Sequence, residues 1–152
     1  MLYSLHCTDI WQNYFRTLTK PINMIILNEP TVTLEYDPGK KQILQRWYGM
    51  CSSEIFRNAI DKTIEFTKTN KVNAIISNTL EQSVVKPVDV EYASSSMPKL
   101  FSAGVKAMAF VIPRNAITQM SLNKFDKDTK TEMIRFFESV SEAQRWIDKT
   151  AN

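Results

Sequence analysis

The sequence contains one histidine, His6, two cysteines, Cys7 and Cys51, and three glycines, Gly39, Gly49 and Gly104. Each shortage closes off a class of chemistry. Isolated glycines do not build a dinucleotide turn or a Walker phosphate loop, both of which need paired glycines where backbone approaches phosphate. One histidine and two distant cysteines do not supply a four-ligand zinc site, so no metal and no cofactor is expected. The longest strongly apolar run, Ala107 to Ile112, falls far short of the roughly 20 residues of a membrane helix. The opening MLYSLHCTDIW lacks the basic region and continuous apolar core of a secretory signal. With no evident cysteine pairing, a reducing, cytoplasmic location is expected. The charge of +3, from 19 basic and 16 acidic residues, is scattered along the chain, so no nucleic-acid partner is expected.

What is present is ordinary globular composition: 152 residues, 43% hydrophobic and 11% aromatic, enough for one domain with a sizeable core. Residues 1–30 read as an N-terminal extension and 31–152 as the domain. Within the extension, Leu2, Leu5, Trp11, Tyr14, Phe15 and Leu18 suit a short amphipathic helix capped by Thr8 or Asp9 and stopped by Pro21. An appendage ahead of the regular domain is the alternative, and both readings stay open.

From Thr31 the pattern is regular. TVTLEY alternates apolar and polar positions as a half-buried strand does. DPGK supplies a tight turn, with Gly39 tolerating positive φ, and QILQRWY pairs back as a hairpin. Ser52 or Ser53 caps a helix with Phe56, Ile60 and Ile64 on its inner face and an end near Thr69. Val72 to Ser77 reads as a central strand and Asn78 to Lys86 as a loop. Pro87 opens another helix, which Pro98 is expected to kink or split near Ser96 and Gly104 to close. Val105 to Ile112 is apolar on both faces, as a strand covered on both sides should be. A helix over Ala116 to Phe125, a strand over Met133 to Phe137, and a helix with a Ser139/Glu142 capping box complete the chain. The order β-β-α-β-α-β-α-β-α implies an α/β fold with a mixed, mostly parallel sheet, an N-terminal β-hairpin and helical crossovers.

The words LEYDPGKKQILQRWYG, IFRNAIDKTIEF and MPKLFSAGVKAMAFVIP, spread over Val32 to Ile147, resemble small stand-alone bacterial STAS-like domains. These are related to sporulation anti-sigma factor antagonists and are often grouped with the CRAL-TRIO lipid-transfer fold. The resemblance implies a STAS-like fold and a non-catalytic regulatory or protein-interaction module whose process is unassigned. In antagonists of this kind a serine beside an aspartate, at the start of the helix after the central strand, is phosphorylated. The matching stretch SNTLEQSVVKPVDVEY lacks that word, and Ser83 is the nearest hydroxyl. Lipid-transfer relatives imply the alternative, a carrier or sensor of a small apolar ligand or lipid, with Trp47, Tyr48, Met97, Phe101, Phe110 and Met120 lining a pocket or simply filling the core.

Ligands in such sheets bind beyond the carboxyl ends of the strands. That rule makes Ser77, Asn78, Arg114 and Asn115 candidate ligand-binding residues, with Arg114 gripping an anion or else solvated, and Asn115 capping the next helix. Cys51 precedes a helix start, where a thiol can become reactive, but His6 is the one histidine to serve it, so it reads as structural. No catalytic residue is expected. The first strand of the hairpin, at a sheet edge, is the expected route to a homodimer.

Overall fold

A computed structural model describes residues 22–116 and 132–151. Its six strands form one sheet in chain order: β1 (Met24–Glu29), β2 (Val32–Asp37), β3 (Gln42–Gly49), β4 (Ala74–Gln82), β5 (Ala107–Val111) and β6 (Ile134–Phe137). β1 to β3 pair antiparallel, and β3 to β6 pair parallel. Helix α1 (Ser53–Thr69) carries the chain from β3 to β4, α2 (Pro87–Ser102) from β4 to β5, and α3 (Val140–Thr150) follows β6.

The local chemistry accounts for most boundaries. Ser52 accepts a hydrogen bond from the Ile55 amide at 3.2 Å and starts α1, and Ser139 does the same for Glu142 at the start of α3, satisfying amides that the helix leaves unpaired. Gly104, at φ +110°, closes α2. The Val105 amide donates to the Leu100 carbonyl and the Gly104 amide to that of Phe101, the paired bonds that a left-handed residue makes possible after a helix.

Four expectations change. The stretch 1–30 is not wholly an extension, because residues 24–29 form β1, which joins β2 through the two residues Pro30 and Thr31. The outer strand of the hairpin, β2, is therefore paired on both sides, and among the described residues the edge expected there is β1. Ile22, Met24 and Ile25 are exposed at that edge. β4 runs on to Gln82 rather than stopping at Ser77, because the end of β3 extends alongside it, Tyr48 opposite Glu81 and Gly49 opposite Gln82. Of the two outcomes expected at Pro98 the split does not occur, since α2 passes through it as one helix; in the preceding turn the Ser95 and Ser96 hydroxyls both donate to the Tyr92 carbonyl. In the β2–β3 turn, Asp37 Oδ1 accepts from the Gly39 and Lys40 amides, and the left-handed residue is Lys41, φ 51°, not Gly39. Residues 117–125 of the expected helix, with Met120, lie outside the described residues, as do His6 and Cys7.

The sheet is covered on both faces. Toward α1 and α2 it presents Val32, Leu34, Ile43, Trp47, Ile75 and Met108. Toward α3 it presents Ala74, Ile76, Ala107, Ala109 and Val111, packed on Ala143 and Ile147. Ile43, Ile75 and Ile76 are fully buried, each contributing about 1.5–3 kcal/mol by leaving water.

Candidate functional site

A cavity of about 180 Å³ lies between the sheet and the α1/α2 layer. Its origin is in residue size. On β4, Ser77 and Thr79 form a low floor, and on α2, Ala93, Ser94 and Ser96 form a thin roof. Two aromatic pairs stand on either side. Trp47 and Phe56 have ring centroids 5.0 Å apart, and Phe110 and Phe136, on neighbouring strands, stack at 5.6 Å. The large rings hold the layers apart, and the small residues between them leave the hollow unfilled.

Polar atoms reach this space from the strands. Trp47 Nε1 donates to Ser77 Oγ at 3.1 Å, and Gln45 Nε2 donates to Thr63 Oγ1 at 3.0 Å. Thr79 Oγ1 donates to the Val111 carbonyl. Gln82, which also lines the cavity, has a buried Nε2 with no partner among the described residues.

The sequence-predicted residues divide. Trp47 and Ser77 are brought together in the cavity wall, with Met97 and Phe110. Asn78 and Tyr48 are not part of the wall, since alternate side chains of a strand point to opposite faces; Asn78 Oδ1 accepts from the Leu80 amide. Ser77 and Asn78 are mid-strand, so the carboxyl end of β4 is not where the rule sought it. Phe101 packs against the cluster of Tyr36, Ile64 and Leu100 rather than on the cavity. Arg114 is 82% exposed and pairs through Nε with Glu138 at 2.9 Å, while Asn115 Oδ1 accepts from the Ala116 amide. Cys51 accepts a hydrogen bond from the Thr31 hydroxyl at 3.3 Å and packs beside Val32 and Phe56. Ser83 is exposed, its amide donating to the Gly49 carbonyl at 2.8 Å. Among the described residues, no group of His, Cys, Asp or Glu is placed to hold a metal ion, and no helix is long and apolar enough to cross a membrane.

One polar constellation went unread in the sequence. Asp89, in the first turn of α2 and 2% exposed, accepts from Ser53 Oγ at 2.6 Å and from Arg57 Nε at 2.8 Å. Arg57 lies 5.0 Å above the Tyr92 ring, and the Tyr92 hydroxyl donates to Asp61. This chain of contacts clasps α1 to α2. The Ser53 hydrogen bond, followed by that of Arg57, holds the Asp89 carboxyl below its usual range despite burial, and the Asp61 contact raises the Tyr92 phenol. The readable signal was an acid at the third position of a proline-initiated helix, where the helix dipole favours it.

At the same end of the parallel strands, apolar side chains face water. Met50, Leu80, Val84, Val88 and Val90 are all exposed, Val84 at 92%. Four of the five fall in the eleven residues, 80–90, that end β4 and begin α2. The Ser83 to Gly49 hydrogen bond brings Met50 beside them.

No family model matches the chain, and no curated protein matches it. Among solved structures it is similar to the anti-sigma factor antagonist SpoIIAA in its unphosphorylated form, with a TM-score of 0.54 at 12% identity, over 84% of this chain and 97% of that one. It is also similar to the Bacillus cell fate determinant SpoIIAA in the phosphorylated form, with a TM-score of 0.51 at 14% identity, over 82% and 98%. The mixed six-stranded sheet and its helices, matched over nearly the whole of those domains, give this chain a STAS-like α/β fold.

Proposed function

We propose that the chain is a non-catalytic regulatory module that works by protein contact, and that the contact is made by the loop from β4 to α2. The observation that carries this reading is the exposed apolar cluster of Met50, Leu80, Val84, Val88 and Val90. Scattered exposed hydrophobics are normal on a soluble surface, but five gathered along one loop and its flanks are what an interaction site offers. The partner is a protein that offers an apolar face. Similarity in fold to an anti-sigma factor antagonist supports the class of role. A similar structure is of a phosphorylated form, and Ser83 lies inside the cluster, where an added phosphate would place about two negative charges among apolar side chains.

A photocrosslinking residue at position 84 tests this in cells, with position 62 on the outer face of α1 as the control. One protein is expected to be captured from position 84 and not from 62, and Ser83→Asp is expected to reduce the capture. Equal capture at both positions, or none at 84, would sink the reading.

A second reading, a carrier or sensor of a small apolar ligand, is favoured by the cavity beneath α2.

A further inference from the structure

We propose that the cavity between the sheet and α1/α2 is a binding site for a small aromatic molecule bearing one hydrogen-bond acceptor, which the Gln82 side-chain amide holds. The site rests on the second reading above and narrows it to a chemical class.

Volume sets the size of the occupant. An apolar cavity of about 150 Å³ takes a benzene molecule, whereas pockets for drug-sized ligands run to roughly 300–1,000 Å³. At about 180 Å³ the hollow matches one ring with a short substituent. The walls set its shape and character. The Trp47/Phe56 and Phe110/Phe136 pairs flank the space, so a flat ring finds aromatic faces and edges on both sides, the arrangement that aromatic groups favour.

The polar requirement comes from one donor. Gln82 Nε2 is buried and, among the described residues, bonded to nothing, and a shielded N–H without an acceptor is a cost that folded proteins rarely carry. Gln82 lines the cavity from the end of β4. A ketone, amide or ester oxygen on the ring satisfies it, while a purely hydrocarbon guest leaves it unpaired.

The test uses two probes of nearly the same shape, acetophenone and ethylbenzene, titrated into the full chain while the tryptophan indole N–H signals are followed by NMR. Trp47 reports on the cavity, and Trp146 on α3 serves as an internal control. Both probes are expected to shift Trp47 and leave Trp146 in place. Acetophenone is expected to bind about tenfold tighter, the equivalent of one buried hydrogen bond. Gln82→Met should reduce that preference to about twofold or less without weakening ethylbenzene. Ala93→Leu, which places three more carbons in the hollow, should abolish binding of both probes while the far-ultraviolet circular dichroism stays unchanged. An unmoved Trp47 signal with both probes at millimolar concentration overturns the site, as does water alone in the cavity after co-crystallisation with acetophenone. A preference for acetophenone that survives Gln82→Met overturns the role of Gln82. None of these results bears on crosslinking from position 84, so this site and the protein-contact reading fail separately.

Discussion

The two faces of the sheet are built on different rules. Toward α3 the strands offer Ala74, Ala107 and Ala109 to Ala143, and small side chains let helix and sheet approach closely with nothing between them. Toward α1 and α2 the strands offer Trp47, Met108 and Phe110 and bury the polar Gln45, Thr63 and Ser77. There large rings stand beside small residues, Gln45 bonds to Thr63 and Trp47 to Ser77, and a hollow remains. One face is a seam of small apolar side chains crossed by one amide pair, Gln42 and Gln144, and the other is where space, buried polar groups and the exposed loop coincide. The same α/β scaffold thus carries a filled seam on one side of its strands and a hollow on the other, by the size of the residues on each.

The largest effect that would break this comparison is on the alanine face. Ala109→Leu, at a fully buried position on β5, forces extra carbons into a filled seam and is expected to cost roughly 3 kcal/mol, read from the urea midpoint. A cost no greater than that of Ala93→Leu would mean that the two faces are packed alike. An intermediate, pH-dependent effect is expected at the clasp that holds α1 and α2 over the cavity. The Asp89 carboxyl is held below its unfolded-state range by Ser53 and Arg57. The stability it contributes is therefore fully present above the unfolded value and lost as pH falls through the folded one. Asp89→Asn should be less stable than the parent at neutral pH, and the gap should close as the pH is taken below 3.8, the ordinary value for this group. A gap that persists at low pH would show that the carboxylate charge is not what the clasp uses. The smallest change is expected for Ala93→Leu itself. The cavity accommodates the added carbons, so thermal and urea unfolding should change by less than about 1 kcal/mol.

How much of this was legible beforehand differs element by element. Alternation in TVTLEY, the serine caps and the glycine after α2 are local signals, and each was readable because its cause lies within a few residues. β1 was hidden because an edge strand half-exposed on both sides has no clean alternation; its run MIILNE pairs with β2 across a turn as short as Pro30 and Thr31. The end of β4 was hidden for a related reason, since Leu80 and Glu81 are exposed and only the neighbouring end of β3 keeps them in the sheet. Of the site, Trp47 and Ser77 were named separately, yet their hydrogen bond depends on a parallel register that no local pattern encodes. The Asp89 clasp joins residues more than thirty positions apart, and Gln82 stood in a stretch read as loop.

The strand order carries one further consequence. Every strand lies beside the one that precedes it in sequence, so no strand has to be inserted between two others already in place. As the chain leaves the ribosome, the β1–β2–β3 meander can pair first through short connections with a small loop-closure cost. Each later strand then adds to an existing edge once its helix has been made. Growth is one-directional, and an unfinished sheet always carries its growing edge on the side away from β1.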